Sequence, residues 1–468
     1  MLINQEIENI IKRYKDKTFI KDLTNKKEIS FEKFYERSVR VCNYFQSLKI
    51  KQGSRILVQM ENSIEYFYVI FACLLGGYVV CPIDTEIKDE KIKKLEKIIK
   101  PSLKIRKKID VKFYKNNINI VRRKVPYIII FTSGTTGEPK GIQISNFAYL
   151  GSAISYSKLA GYDNETNLLH FLPIYYNAGI LNTFYSCFFA GSQITLANKI
   201  SAINIINFWE NILEDEINSF HLTPEIANAL SKLKIPSKLK QKISKIKIIS
   251  TGSYLHQNIV DKFEKIYMVR ILSCYGLTEI GGPLTIQNWE NTFIEGSVGH
   301  HSNEVKIKIV NIKNDKHIHI KTPYIMDNYI NEKGKIDKPK LKNGFFDTGD
   351  IGEYKKGELI ILGRRKDIVK KGAEIISLAY IENEIMKSKI VDDVIGIAKY
   401  DIDKGSKIYM FVKLKQIDNL DSDINFIFKY LKKKLKKIEI PDKIIPVPVI
   451  PKTYNGKAKK EVLEKLYF

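Results

Sequence analysis

Apolar segments with helical and with strand character alternate along the first part of the chain. Residues 30–49 carry apolar side chains at helical spacing behind Ser30, which predicts a helix with Ser30 as its N-cap. The pattern then predicts a strand at residues 53–60, a helix at 62–75 and a strand at 78–83, separated by turn residues. The same alternation continues to about residue 275. It includes a predicted helix from Ser145, as its N-cap, to about Lys158 and another through Leu181–Ala190, whereas residues 85–125 are lysine-rich and show no clear pattern. We therefore predict an α/β fold.

The longest uncharged run covers residues 66–83 and is long enough for a membrane span. Gly76 and Gly77 interrupt it, and β-branched residues follow, so we predict a helix, a turn and a buried strand and no stable membrane insertion. The N-terminus has no signal-like apolar segment, and the five cysteines show no metal-binding spacing. We therefore expect a cytoplasmic protein.

The pattern changes in the last third of the chain. From Gly296 onward short strands predict a small β-barrel-like subdomain, and after residue 365 helices and strands are mixed. We predict a large N-terminal domain of stacked α/β sheets over residues 1–365 and a small α+β C-terminal domain over residues 366–468. Within the second domain we predict helices at 379–386 and 424–437, strands at 393–398 and 408–413, and a loop at Asn419–Ser422.

The charge of the chain is unusual. Its 468 residues include 77 Lys and Arg against 52 Asp and Glu, a net charge of +25. Such an excess is typical of proteins that bind nucleic acid or an anionic membrane surface. Here the basic residues are mostly lysines scattered along the chain, apart from residues 432–437, and no recognition motif accompanies them. We attribute the charge to compositional bias and expect no nucleic-acid partner.

The strongest candidate chemistry lies within residues 127–144. Four apolar residues (128–131) predict a buried strand, and a second apolar strand begins after Gly141. Glycine backbone N–H groups, hydroxyls and a lysine between two such strands are suited to holding phosphate, whereas a flexible linker is seldom flanked in this way. The residues that carry this prediction are Thr132, Ser133, Gly134, Thr135, Thr136, Gly137 and Lys140.

Four further motifs follow in chain order. They are Tyr275–Glu279 (YGLTE), Phe346–Asp350 (FDTGD), Gly363–Asp367 (GRRKD) and Pro451–Lys457 (PKTYNGK). Together with the loop they resemble the AMP-forming adenylating enzyme superfamily, which includes acyl-CoA synthetases, amino-acid adenylation domains and luciferases. Order and spacing agree from about residue 30 to the end, and the chain is most similar in style to acyl-CoA synthetases.

The resemblance implies that a carboxylate attacks the α-phosphate of ATP, that pyrophosphate leaves and that a thiol then takes the acyl group from acyl-AMP. Thr278, Glu279 and Lys457 would be catalytic, with Glu279 also binding Mg²⁺. The small domain would be mobile and would rotate about a hinge at Lys366 between the two steps. Besides residues 132–137 and Lys140, ATP would contact Gly252, Ser253, Tyr275, Gly276, Asp350 and Arg364.

Each of these residues also has an ordinary structural interpretation when it is considered alone. Asp350 follows Gly349 and would suit a turn, and Glu279 would suit the surface. Tyr275 would suit a core, and Lys457 lies in a lysine-rich tail where solvent exposure is the usual state. The shared motif order is what favours the catalytic interpretation.

The resemblance places the acyl pocket against Tyr175, Tyr176, Asn177, Gly179 and Gly281. Amino-acid-activating relatives place an aspartate near this segment, but no acidic residue occurs between Leu168 and Asn198. We therefore expect an uncharged acyl or aryl acid, as in fatty acid metabolism, with coenzyme A as the acceptor.

Three alternatives stay open at this stage. They are a ligase that loads the pantetheine of an acyl-carrier protein, a stand-alone amino-acid adenylation enzyme, and a degenerate adenylate-binding protein. Ala373 stands where relatives usually have glycine beside the pantetheine tunnel, which bears on the thioester step.

Overall fold

The computed structural model contains two large sheets that pack around shared apolar layers. It describes residues 3–87, 89–110, 121, 123–133, 139–200, 205, 208–209, 212, 215–233, 235, 237–289, 294, 296–312, 315–365, 368–371, 374–401, 405–416, 419–452 and 458–468. The mixed α/β architecture confirms the predicted fold class. Among the helices in these ranges, none combines the length and the hydropathy that crossing a bilayer requires.

The larger sheet has nine strands. Its central strands are parallel, as expected where helices cover both faces of a sheet. In spatial order the strands are His300–His301, Gly282–Ile286, Ile271–Leu277, Lys247–Ser250, Ser219–Leu222, Asn167–His170, Gln193–Leu196, Thr18–Asp22 and Lys27–Ser30.

The second sheet has seven strands. It contains the antiparallel pair Pro126–Ser133 and Pro139–Ser145, in which Thr132 is the partner of Lys140. The two strands that we predicted on either side of the phosphate loop are thus neighbours in one sheet. In spatial order the strands are Ile336–Asp337, Asn328–Ile330, Pro139–Ser145, Pro126–Ser133, Val79–Pro82, Arg55–Val58 and Leu103–Ile105.

Local sequence signals set the ends of the first helices. The Ser30 hydroxyl accepts a hydrogen bond from the backbone N–H of Lys33, and Ser145 caps its helix in the same way, as predicted. The helix Ile64–Gly76 has 13 residues and ends at Gly77, whose φ of 69° is the left-handed conformation that glycine adopts without strain. The predicted helix, turn and strand within residues 66–83 are therefore confirmed.

Two segments in this region add to what the sequence indicated. The helix predicted through Leu181–Ala190 is present, but it consists of a π-helix, Ala178–Tyr185, followed by the α-helix Ser186–Ala190. The segment 85–125, which showed no clear pattern, contains the helix Asp89–Ile99, whose short apolar stripe packs into the core. The other helices of this part are Ile3–Arg13, Phe31–Ser47, Asn146–Leu159, Pro224–Leu230, Ser237–Ile243 and Gln257–Tyr267, with a 3₁₀ turn at Thr278–Ile280.

A five-stranded antiparallel sheet follows and corresponds to the predicted barrel-like subdomain. Its long strand Phe345–Lys355 contains Asp350 and pairs on one side with Asp315–Lys321 and on the other with Glu358–Arg364. The remaining members are Lys306–Ile312 and Leu341–Lys342.

The C-terminal part builds its own core around the strands Val391–Asp401 and Gly405–Leu414. The predicted loop at Asn419–Ser422 is wrong, because Asn419 caps the helix Leu420–Lys432 with its side-chain oxygen. That helix also ends earlier than predicted. The other elements are Ile368–Lys371, Glu374–Ser377, Leu378–Lys387, the 3₁₀ turn Lys437–Glu439, Lys443–Pro446 and Lys460–Tyr467.

Lys452 connects this part to a helix much earlier in the chain. Its ammonium lies 2.8 Å from a carboxylate oxygen of Asp393 and 3.5 Å from one of Glu225. Burial lowers the pKa of Lys452, but the charges of Asp393 and Glu225 outweigh it, and the net shift is upward. Because the pKa is raised in the folded state, this stabilisation is present at neutral pH and is lost as the pH rises through the folded-state pKa.

We expect Lys452→Met to lower the free energy of unfolding by about 2 kcal/mol at pH 8, because two partly buried carboxylates lose their partner. The difference from wild type should shrink at strongly alkaline pH, as the pH rises through the raised folded-state pKa of Lys452 and the amine loses its proton. Urea unfolding at pH 8 and at strongly alkaline pH measures this difference. Lys433→Met, at an exposed position, is the control, and an equal loss in both variants would contradict the assignment.

Candidate active site

A cavity of about 1290 Å³ opens where the large sheet, the five-stranded sheet and the C-terminal part meet. This is above the usual range of about 300–1,000 Å³ for small-molecule sites, so there is room for a nucleotide together with a second substrate. The predicted site residues that line it are Tyr176, Asn177, Gly252, Ser253, Tyr275, Gly276, Thr278, Asp350 and Arg364.

Asp350 is a buried acid at this cavity and is 3% exposed. One carboxylate oxygen accepts a hydrogen bond of 2.6 Å from the Tyr275 hydroxyl, and the other lies 2.9 Å from Arg364 Nε. Burial and the Asp350 charge raise the pKa of Tyr275, which therefore stays a protonated donor. Each oxygen of an ionised carboxylate can accept more than one hydrogen bond, so a group of this kind is suited to binding ligand hydroxyls.

The backbone of the strand Ile271–Leu277 leads directly into the candidate catalytic residues. It ends at Leu277, and Thr278 and Glu279 form the 3₁₀ turn that follows. At Gly276 a Cβ atom would lie 1.9 Å from the carbonyl oxygen of Gly282, which only a glycine avoids. Gly276 therefore allows the neighbouring strand to approach, and Thr278 reaches the cavity edge.

Lys140 and Glu279 both lie beside Tyr329, a residue that was not predicted to belong to the site. The Lys140 ammonium lies 3.1 Å from the centre of the Tyr329 ring. Burial raises the pKa of Tyr329, and the charge and hydrogen bond of Glu279 add to this. Burial lowers the pKa of Lys140, and the charges of Glu279 and Asp337 offset only part of this shift. A cation and a carboxylate thus flank one phenol beside the predicted phosphate loop.

Several predicted residues fall outside the described ranges. They are Gly134, Thr135, Thr136 and Gly137 of the loop, Lys366 at the predicted hinge, Ala373 and Lys457. Thr132 and Ser133 belong to the strand Pro126–Ser133, so the segment between the two paired strands is shorter than the motif suggested. The roles of all these residues stay predictions.

The predicted acyl-pocket residues divide into two groups. Tyr176 and Asn177 line the cavity, and the Asn177 amide oxygen accepts a 2.8 Å hydrogen bond from Tyr149. Gly179 packs against the Pro173 carbonyl and Gly281 against Tyr324, so their missing side chains serve close packing. Tyr175, Gly179 and Gly281 lie outside the cavity lining.

Sequence analysis also missed Asn182, a fully buried residue of the cavity wall. It lies on the π-helix, whose different spacing hides which residues face the cavity. Tyr329 was missed because its strand pairs with Pro139–Ser145 across more than 180 residues of chain. No local pattern reports such a contact.

Two family models match the chain over most of its length. The AMP-binding enzyme model matches residues 7–330, and the AMP-binding enzyme C-terminal domain model matches residues 380–457. The chain belongs to the AMP-binding enzyme family, which confirms the resemblance inferred from its motifs. It is an AMP-forming ligase: it activates a carboxylic acid as an acyl-adenylate with release of pyrophosphate and transfers the acyl group to a thiol.

Characterised relatives and solved structures cover nearly the whole chain. The 2-succinylbenzoate–CoA ligase of Staphylococcus epidermidis is 25% identical, over 94% of this chain and 93% of the relative. ATP-bound MatB from Rhodopseudomonas palustris has a TM-score of 0.88 at 20% identity, covering 99% of this chain and 98% of that one. The o-succinylbenzoate CoA synthetase of Bacillus subtilis, in complex with its acyl-adenylate, has a TM-score of 0.82 at 19% identity, covering 98% and 97%.

Proposed function

We propose that the protein is an acyl-CoA or aryl-CoA synthetase that uses ATP, Mg²⁺ and coenzyme A to activate a small carboxylic acid without an α-amino group. The single observation that carries the nucleotide assignment is the buried Asp350 carboxylate, held by Tyr275 and Arg364 at the cavity. A ribose offers two adjacent hydroxyls that match this bidentate acceptor.

The phosphates would lie toward Lys140 and Glu279. Lys140 supplies a positive charge at the end of the strand Pro139–Ser145, and Thr278 at the cavity edge supplies a hydroxyl donor. Glu279 offers hard carboxylate oxygens, which fit Mg²⁺ because this ion prefers oxygen ligands and usually takes the rest from phosphates and water. A bound Mg²⁺ would offset the charge that builds on the phosphate oxygens.

The proposed reaction has two steps. In the first, a substrate carboxylate oxygen bonds to the α-phosphorus, the bond from that phosphorus to the bridging oxygen breaks, and pyrophosphate leaves with the electron pair. In the second, the coenzyme A sulfur bonds to the acyl carbon, the bond from that carbon to the phosphate oxygen breaks, and AMP leaves while the thiol proton goes to solvent. We assign Lys457 to the first step and a domain rotation at Lys366 to the interval between the steps.

The acid pocket would be walled by Tyr176, Asn177 and Pro283. Residues 168–198, which contribute part of this wall, contain no Asp, Glu, Lys or Arg. An α-ammonium buried against this segment would find no counter-charge within it, and the burial of an unpaired charge is costly. Coenzyme A is the acceptor in the names of the relatives, which supports it as the second substrate here.

A matched pair of acids tests the substrate class. We expect 3-phenylpropionate to be converted to its CoA thioester with a kcat/KM at least about 100-fold above that of phenylalanine, which differs only by the α-amino group. Mass spectrometry of the thioester and of AMP measures both. The panel should also include 2-succinylbenzoate and anthranilate, the acids named in the relatives.

Two outcomes would contradict the proposal. Preference for the amino acid would identify an amino-acid adenylation enzyme. The second contradicting outcome is that acyl-adenylate accumulates even when coenzyme A is present and reacts only with a phosphopantetheinylated carrier protein. This outcome would identify a carrier-protein ligase.

A further inference from the structure

A cluster of three potential metal ligands lies on two neighbouring strands of the five-stranded sheet. His317 and His319 are two residues apart on the strand Asp315–Lys321, so their side chains share one face. Asp347, on the strand Phe345–Lys355, is the direct cross-strand partner of His319. One potential ligand atom from each of the three residues lies within 4.8 Å of the others.

The cluster is buried on one side and open on the other. His317 is 4% exposed and His319 is 8% exposed. Nε2 of His319 is buried without a hydrogen-bond partner among the described residues. A buried, unpaired ring nitrogen is costly unless a ligand satisfies it. The Asp347 side chain is 35% exposed, which leaves a route in from solvent.

A cationic side chain already lies between two of these ligands. Nη1 of Arg365 is 2.8 Å from a carboxylate oxygen of Asp347 and 3.0 Å from Nδ1 of His317. A guanidinium has only donors, so Nδ1 of His317 presents its lone pair at this point. A metal ion requires the same arrangement, a carboxylate and an imidazole lone pair directed at a positive charge.

We propose that His317, His319 and Asp347 form a binding site for one Zn²⁺-type transition-metal ion, which takes the place of the Arg365 guanidinium. Two imidazoles and a carboxylate suit Zn²⁺, with water as the fourth ligand, whereas Mg²⁺ and Ca²⁺ prefer oxygen ligands. Ligands about 2.1 Å from a tetrahedral ion are about 3.4 Å apart, so the ligand atoms need to approach one another by at most about 1.4 Å.

A second carboxylate stands behind the cluster. An oxygen of Asp315 lies 3.9 Å from Nε2 of His317, the ring nitrogen opposite the one that faces Arg365. Metal-bound histidines commonly present their other nitrogen to a carboxylate, which fixes the ring and raises its basicity. The bound ion would tie together the two strands, one of which carries Asp350.

Calorimetric titration of the full-length, tag-free chain with ZnCl₂, without nucleotide, tests this site. We expect one ion per chain with a dissociation constant on the order of micromolar, weakened at least about tenfold in His319→Ala and in Asp347→Asn. Arg365→Gln removes the competing cation and should tighten binding by about tenfold. Unsaturable binding, or binding that these three substitutions leave unchanged, would overturn the proposal.

The exposed pair His300 and His301 provides the control, because two adjacent surface histidines are the obvious alternative ligands. His300→Ala/His301→Ala should retain the ion, and loss of binding there would overturn the assignment. As a second readout, Zn²⁺ should raise the thermal midpoint of wild type but not of Asp347→Asn. This substitution keeps the side-chain size at a partly exposed position, and its midpoint without metal shows that it folds.

Discussion

Lys457→Ala is expected to abolish acyl-adenylate formation while transfer of a supplied acyl-adenylate to coenzyme A stays within about threefold of wild type. The physical reason is that negative charge builds in the first step on the α-phosphate oxygens and on the oxygen that bridges to the leaving pyrophosphate, where we assign Lys457. Loss of a positioned cation at such a point costs about 10²–10³ in rate or more. The second step breaks the bond to AMP and does not need this lysine if the small domain has rotated.

Single-turnover measurements with ATP and acid, and separately with synthetic acyl-adenylate and coenzyme A, give the two rates. Lys443→Ala, at an exposed position in the same C-terminal part, should leave both unchanged. An equal loss of both steps in Lys457→Ala would contradict the assignment of the lysine to the first step alone.

Asp350→Ala is expected to weaken ATP binding by about 100-fold, because two charge-assisted hydrogen bonds to the ribose, each contributing about 1.5 kcal/mol, are lost. Asp350→Asn keeps the side-chain size and one acceptor oxygen and should give a smaller loss. Both variants alter the contacts of Asp350 with Arg364 and Tyr275, so the thermal midpoint must be measured alongside.

The nucleotide itself supplies the sharpest control for Asp350. With 2′,3′-dideoxy-ATP the ribose has no hydroxyls to bind, so wild type and Asp350→Ala should bind it with similar affinity. A penalty of the same size for both nucleotides would mean that Asp350 acts through the structure and makes no ribose contact.

Much of the local structure follows from short sequence signals. Ser30 and Ser145 cap helices where their position before apolar periodic segments predicted it, and Gly77 ends a helix that hydropathy alone would extend into a membrane span. These predictions succeed because capping and left-handed glycine depend on a few neighbouring residues. The motifs also indicated which residues lie together, since Tyr275 and Arg364 from two of them both contact Asp350 from a third.

Contacts set by the tertiary fold could not be predicted. Tyr329 lies under Lys140 because distant strands pair, and the π-helix Ala178–Tyr185 changes which residues face the cavity. The apolar stripe of Asp89–Ile99 was hidden by its many lysines and glutamates. Asn419, predicted to lie in a loop, caps the helix Leu420–Lys432, because its amide oxygen accepts a hydrogen bond from the backbone N–H of Ser422.

Exchange of labelled pyrophosphate into ATP tests the central claim most directly. The reversible first step predicts that label enters ATP only when a carboxylic acid substrate and Mg²⁺ are present, and before any coenzyme A is added. AMP and the CoA thioester should then appear in equal amounts once coenzyme A is supplied. Exchange that needs no acid, or turnover that yields ADP and phosphate from ATP, would contradict an AMP-forming ligase.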